Sequence, residues 1–412
     1  MDELQRKIED HIKALSQFTA TPDEGTTRLT YSKEDLQARA YIKEVMKSYG
    51  LVVREDGFGN IFGKLEGELE GPSVLIGSHF DSVPHGGDYD GPAGVIAGLE
   101  VAGLFFEKNI KPEYPLEVIA LIEEEGSRFG GGLMGSRGMT GKLSEEDFAR
   151  LKDKGGITTV EAMKAIGLNP ALSKQRDPQS IKAFLELHIE QGPILEEKEI
   201  KIGIVESIVG LTQLEVTVEG KAGHAGTTPM DARSDALIAA AEAITQLPKL
   251  AIVEGSGTVI TVGQLNVFPN GSNVIPNKVV FTIDIRSTVE DKMINVMEKA
   301  KEIILSANKT GVKTSIEQQL YMEPKYLNEE VRSILKEEST DLGIQHTSIH
   351  SGAGHDAMVF ADVTAAGMIF IPSKDGLSHC PEEWSDAKDI ATAVRILFET
   401  AKKLTGAKVS HG

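Results

Sequence analysis

Between residues 211 and 321 the order of element types changes, and that change limits the possible folds of this chain more than any other feature. Leu211–Val218 reads as a strand, Ala232–Gln246 as an Ala-rich helix, and Val259–Val267 and Val279–Ile285 as strands. A helix at Val289–Ser306 and a strand at Thr314–Tyr321 complete a β-α-β-β-α-β series, the split arrangement of a ferredoxin-like module. The flanking chain has a different rhythm. Lys33–Tyr49 has helical periodicity closed by Gly50, and strand-like runs follow at Leu51–Arg54, Asn60–Leu65 and Ser73–Ser78. A helix at Gly94–Lys108 precedes strands at Leu116–Ile122 and Phe184–Ile189. After Glu323-Pro324 come strands near His346–Ser351 and Gly367–Ile371 and a final helix at Ala387–Leu404. The expected fold is α/β: a mixed sheet flanked by helices, formed by residues 1–210 and 325–412, with an α+β domain inserted over 211–324.

Composition narrows the function classes. Acidic residues outnumber basic ones by 62 to 43, giving a formal charge of −19, which argues against a nucleic-acid-binding surface. The segment Met1-Asp2-Glu3-Leu4-Gln5 reads as a charged helix start with no apolar signal core, and no apolar run is expected to approach a membrane span. The single Cys380 excludes an intrachain disulfide. The expectation is a cytoplasmic protein with neither a nucleic-acid nor a membrane partner.

Four polar constellations sit at predicted strand ends. Gly77-Ser78-His79-Phe80-Asp81 leaves a buried strand and runs through a Gly-rich loop to Asp90. His79 can ligate a metal, Asp81 can accept from its other ring nitrogen, and Asp90 can reach the same cleft; the alternative is a turn histidine beside solvated acids. Glu123-Glu124-Glu125 follows Leu116–Ile122, and three adjacent carboxylates repel unless cations hold them. Alternation puts Glu186, His188 and Glu190 on one strand face, where a histidine can equally be a core residue. Ser378-His379-Cys380-Pro381-Glu382-Glu383-Trp384 follows an apolar run and can also be a surface turn. Together these segments offer three histidines and enough carboxylates for two metal ions sharing one acid, with Glu124 placed as a base beside a ligand at Glu125.

This set resembles the M20-type metallohydrolases, whose zinc-exopeptidase-like catalytic domain carries an inserted dimerisation and lid domain. Gly77–Val83, Glu124–Phe129, His188-Ile189-Glu190-Gln191-Gly192-Pro193 and Gly354-His355-Asp356-Ala357 match the branch holding N-carbamoyl-L-amino-acid hydrolases, allantoate amidohydrolases and β-ureidopropionases. The resemblance implies that His79 and His188 bind one divalent ion and Glu125 and His379 another, with Asp90 bridging. It implies Asp81 as the orienting acid and Glu124 as general base. It also implies Zn²⁺, Mn²⁺, Co²⁺ or Ni²⁺ as the ions and a homodimer formed through the inserted domain.

The implied reaction is hydrolysis of the ureido C–N bond of an N-carbamoyl-L-amino acid, with allantoate as the rival substrate. A non-catalytic scaffold with this fold would be expected to lack a ligand or the base, and none is missing. Arg286 ends an apolar strand and suits a substrate carboxylate, although pairing with Asp284 is the alternative. His224 is the candidate oxyanion donor, against a plain turn histidine. The resemblance assigns His224, Asn273 and Arg286 to substrate recognition, places Gln191 near the ureido group, and sets Gly354 and His355 along the pocket.

Overall fold

In the computed structural model of the chain, residues 2–172, 174–255, 257–308 and 310–407 are described. They fall into two compact units. One contains the chain up to Glu206, Tyr326–Ile349 and the chain from His355; the other contains Ser207–Lys325 and His350–Gly354. The sequence suggests two crossings, near residues 210 and 324. The short excursion His350–Gly354 is an additional one, and nothing in its polar Gly-containing sequence signals it.

The first unit is organised by a mixed nine-stranded sheet. Its strands run in the order Val52–Glu55, Ile61–Leu65, Leu116–Leu121, Ser73–His79, Ile181–Ile189, Ala365–Ile371, Ile202–Ile208 and Lys325–Tyr326, with His346–Ser351 paired to Ile202–Ile208. The four strands from Leu116–Leu121 to Ala365–Ile371 are mutually parallel, and antiparallel pairs lie outside them. Ser73–His79 and Leu116–Leu121 are buried at every position, as parallel strands covered on both faces must be. Helix Pro92–Glu107 packs on Ser73–His79, and Glu3–Ser16 and Ala387–Thr405 pack against that helix. Val95, Ile96, Leu99, Phe105, Val394 and Leu397 are fully buried there, each contributing about 1.5–3 kcal/mol.

In the second unit the four-stranded order is Lys313–Met322, Gly210–Glu219, Lys278–Ser287, Val259–Phe268, with every neighbour antiparallel. Alternation along Gly210–Glu219 and Lys278–Ser287 turns Leu214, Val216, Phe281 and Ile283 onto one face, against Met293, Val296 and Ala300 of helix Glu290–Ser306. The helix expected over Ala232–Gln246 is present as Ala236–Ile244, and a second helix not expected from the sequence, Leu247–Glu254, follows it. Ala236–Ile244 begins where the Asp235 carboxylate accepts from the backbone N–H of Leu237 and Ile238, and Leu247–Glu254 carries Pro248 in its first turn, where no N–H is needed. Ala236–Glu254 together reaches a mean hydropathy of 1.5 and the length of a membrane span. That corrects the expectation that no run approaches one. The stretch is interrupted at Thr245-Gln246, and Ala236, Ala239 and Ala240 pack into the core beneath the sheet.

Candidate metal centre

Parallel neighbours bring the chemistry together. His79 ends Ser73–His79, Glu123–Glu125 follow Leu116–Leu121, His188 lies near the end of Ile181–Ile189, and His379 lies beyond Ala365–Ile371. These strands are adjacent and parallel, so their C-terminal ends share one edge of the sheet, where side chains can be aimed into a cleft. Asp90 arrives from the loop after His79, immediately before helix Pro92–Glu107. Gly91 makes that approach feasible: its φ is +85°, and a Cβ there would lie 2.4 Å from the His79 ring.

Asp90 stands at the centre. Its Oδ1 is 3.2 Å from His188 Nε2 and 3.5 Å from His79 Nε2, and its Oδ2 is 3.1 Å from His379 Nε2. His379 Nε2 is also 3.3 Å from Glu125 Oε1. Two ligand groups result, His79–Asp90–His188 and Asp90–Glu125–His379, each with its atoms within 4.8 Å of one another and with Asp90 common to both. A third such group is His79–Glu124–Glu125. The opposite ring nitrogens are engaged elsewhere: His188 Nδ1 is 2.9 Å from the Ile189 carbonyl, and His79 Nδ1 is 3.3 Å from the Asp81 carbonyl and 3.5 Å from Asp81 Oδ1. That fixes both rings with Nε2 toward Asp90.

Asp81 does a second thing that the sequence does not suggest. Its carboxylate accepts from the backbone N–H of Glu124 (3.1 Å) and Glu125 (3.3 Å), so one acid orients the turn that presents the pair. Glu123 is turned the other way. With φ +49° it folds into its own loop and accepts from Arg128 N–H at 2.9 Å and Phe129 N–H at 2.7 Å. Of the triple acid, therefore, Glu124 and Glu125 face the cluster.

The electrostatics are those of an anionic pocket. Burial raises the Glu124 carboxyl well above the usual range, and repulsion from Glu125 and Asp356 adds to it. Burial and the Asp90 charge likewise raise Glu125. Burial opposes charge on His79, yet Glu124, Asp81 and Asp90 hold its pKa well above the ordinary value. Hydrogen bonds to Asp90 and Glu125 push His379 up to about 11. Desolvation resists ionisation of Asp90, but three surrounding histidines keep it well below the usual carboxylate range. Each group is calling for positive charge.

Comparison with known proteins agrees with this geometry. Residues 75–403 match peptidase family M20/M25/M40. The chain belongs to the M20 peptidase family. It is 42% identical over 406 residues to an N-carbamoyl-L-amino-acid amidohydrolase of Pseudomonas sp. (strain NS671), covering 97% of this chain and 98% of the relative. It is 36% identical over 407 residues to an allantoate amidohydrolase of Bacillus subtilis (strain 168), with the same coverage of 97% and 98%. Among solved structures, a hydantoinase/carbamoylase family amidase from Burkholderia multivorans superposes with a TM-score of 0.86 at 32% identity, covering 98% of both chains.

M20 enzymes use divalent metal ions, and the residues here fit them. His79 Nε2 is buried and makes no hydrogen bond, although it points at carboxylate oxygens 3.5 and 3.8 Å away. A cation would take that nitrogen and relieve the crowding of Asp90, Glu124 and Glu125. Beside them, Gln191 adopts φ +57° and its Nε2 donates to Asp90 Oδ2 at 2.7 Å, while its Oε1 is buried without a partner. His355 is buried, its ring 4.4 Å from that of His188, and burial together with His188 drives its pKa well down, so it is neutral. Glu190 does not share the face of His188. The strand ends at Ile189, and both Glu190 oxygens accept from the N–H groups of Ile194 and Leu195.

His224, Asn273, Arg286 and Gly354 belong to the second unit. His224 is exposed on a two-residue strand facing Val274, Gly226 N–H donates to its Nδ1 at 3.0 Å, and the Asn273 carbonyl accepts from Ala225 N–H at 2.9 Å. Arg286 is paired: Nε donates to Asp284 Oδ1 at 2.9 Å and Nη1 to the Gly352 carbonyl at 3.0 Å. Sequence reasoning misses three supporting elements. Ser378 bonds Asp90, Ser78 donates to the buried Glu186 at 2.7 Å, and Ser136 donates to the buried Asp356 at 2.5 Å. Small hydroxyls inside motifs carry no signal of their own, and a buried partner carboxylate is visible only once the strands are paired.

Proposed function

We propose that this enzyme hydrolyses the ureido C–N bond of N-carbamoyl-L-amino acids, releasing the L-amino acid, ammonia and carbon dioxide. The observation that carries the reading is the pair of ligand groups sharing Asp90, with Glu124 beside both. His79, His188 and Asp90 would hold one divalent ion, and Glu125, His379 and Asp90 the other. Bound there, such ions supply Lewis acidity toward the carbonyl oxygen and lower the pKa of water. Glu124 then acts as the base, taking the proton of the attacking water on its carboxylate and returning it to the leaving nitrogen. Asp81 keeps Glu124 aimed by gripping its backbone N–H. In the proposed roles Arg286 binds the substrate carboxylate as a planar fork, His224 donates to the developing oxyanion, and Gln191, Asn273, Gly354 and His355 line the substrate.

Allantoate amidohydrolysis is the second reading, favoured by the full-length similarity to an enzyme of that name. Both substrates carry a ureido group and a carboxylate, so the two readings share the same residues. A panel of N-carbamoyl-L-amino acids and allantoate, with ammonia release followed, separates them. Chelation should abolish turnover and Mn²⁺, Co²⁺, Ni²⁺ or Zn²⁺ should restore it; full activity of metal-free protein would overturn both readings.

A further inference from the structure

Glu383 has no role in the reaction described above, yet the structure builds it into the centre. It is 4% exposed, and a carboxylate that deep persists only with partners. Its Oε1 accepts from the backbone N–H of Tyr89 at 2.9 Å and of Asp90 at 3.0 Å. Its Oε2 lies 2.7 Å from Ser378 Oγ, and that hydroxyl lies 2.8 Å from Asp90 Oδ2. One acid thus holds the main chain of Asp90 directly, and the Ser378 hydroxyl, with a single proton to give, sits between its carboxyl group and that of Asp90. The loop is shaped around it, since a Cβ on Gly87 would sit 2.1 Å from Glu383 Oε1. The N–H groups of Tyr89 and Asp90, in the loop just before helix Pro92–Glu107, are thus satisfied from nearly three hundred residues away.

We propose that Glu383, acting with Ser378, is a positioning residue that fixes the shared ligand Asp90 between the two ion sites. The inference rests on reading the cluster as a divalent-ion centre. A residue that only fastened two loops would need no path to the Asp90 carboxylate. The edge contact of Tyr89 with Trp384, ring centroids 5.4 Å apart, already fastens the same loops and offers a control.

The test is titration of metal-free protein with Mn²⁺, read by calorimetry, alongside kcat and KM of the reloaded enzyme. Glu383→Ala should weaken Mn²⁺ binding by about 10–100-fold, the range for losing a group that orients a ligand. Glu383→Gln keeps an oxygen for the two N–H groups and should recover most of that loss. Gly87→Ala leaves the carboxylate chemically intact but displaces it, and should weaken binding as Glu383→Ala does. Trp384→Ala should leave Mn²⁺ affinity near wild type, and kcat should fall in the Glu383 variants with KM little changed. Wild-type affinity in Glu383→Ala, or equal loss in Trp384→Ala, overturns the proposal. If Glu383→Ala does not fold, Ser378→Ala and Gly87→Ala decide it in the same assay. Wild-type protein that takes up no divalent ion would instead refute the reading of the centre itself.

Discussion

At the scale of single residues, the proposed function gives the neighbours Glu124 and Glu125 different roles, and the structure offers a way for that assignment to fail. Glu124 also falls within 4.8 Å of His79 and Glu125 in a possible ligand group. If Glu124 is the base, Glu124→Gln should lower kcat by about 10²–10⁴-fold with metal content unchanged; loss of a bound ion would make it a ligand. The motif register that separates Glu124-Glu125 from Glu123-Glu124 was legible in the sequence from the Gly-Ser-Arg-Phe that follows. Its physical cause was not, because the inward turn of Glu123 depends on a positive φ and two loop N–H groups. Arg286 shows the opposite case. Sequence supplied both its functional reading and its alternative, pairing with Asp284, and the pairing is present at 2.9 Å. Asp284 takes Nε and, at 3.4 Å, Nη2, and the Gly352 carbonyl takes Nη1, so a substrate carboxylate would have to share the guanidinium with these partners or displace one of them. Arg286→Lys should be markedly impaired, because an ammonium cannot serve both partners in one plane. Amidating the substrate carboxylate should cost wild type more than Arg286→Ala, with a coupling of about 2 kcal/mol or more. Equal sensitivity in the two proteins would place the carboxylate elsewhere.

At the scale of elements, the long buried strands and amphipathic helices were readable from periodicity, and the short or polar ones were not. Met134–Met139, Glu145–Arg150 and Thr159–Ala165 are a turn or two each in a glycine-rich stretch, too short for a 3.6-residue period to emerge. Ile202–Ile208 escapes the sequence because its pairing partners lie more than a hundred residues on. Strand Leu116–Leu121 reads as uniformly apolar except for Glu117, which is buried. Glu117 ties together distant elements: Arg176 reaches it with two bonds of 2.6 and 3.0 Å, and Arg54 with one of 3.2 Å. Burial opposes its ionisation, but Arg176, Ser73 and Arg54 bring its pKa below the ordinary glutamate value. A depressed carboxyl contributes stability above its unfolded pKa of about 4.3, and loses it as pH falls through the lower folded value. Glu117→Gln should therefore destabilise the protein by about 1–3 kcal/mol at pH 7, since it removes the buried counter-charge of the partly exposed Arg176. In denaturant melts the gap to wild type should close below about pH 4. A gap independent of pH would assign the loss to packing instead.

At the scale of the whole molecule, the second unit carries a surface that a lone chain leaves unused. Val259–Phe268 is an edge strand whose outer N–H and C=O groups have no neighbour in its sheet, and Val259, Leu265 and Phe268 are each about half exposed. Nearby in the chain, Ile252 and Val253 on helix Leu247–Glu254 are 78% and 79% exposed. Proteins commonly protect such edges, and among the described residues this one has neither a charge on its apolar positions nor a further strand beside it in its own sheet. We propose that a second copy pairs along it by a two-fold axis, which would extend the sheet and bury the apolar side chains. Leu265→Lys, a charge placed on the edge, should then shift the protein to monomer in sedimentation equilibrium without unfolding it. A wild-type monomer would end the proposal. Such a dimer would also bear on catalysis, because the sequence resemblance allows His224 to act on the partner's substrate. Mixing Glu124→Gln with His224→Ala and letting subunits exchange gives heterodimers with one doubly defective site and one intact site, if His224 acts in trans. Half of the dimers are then mixed and half of their sites are whole, so activity should return to about a quarter of wild type. Proven exchange with no recovery would assign His224 to its own chain, and Leu265→Lys would then keep its activity as a monomer.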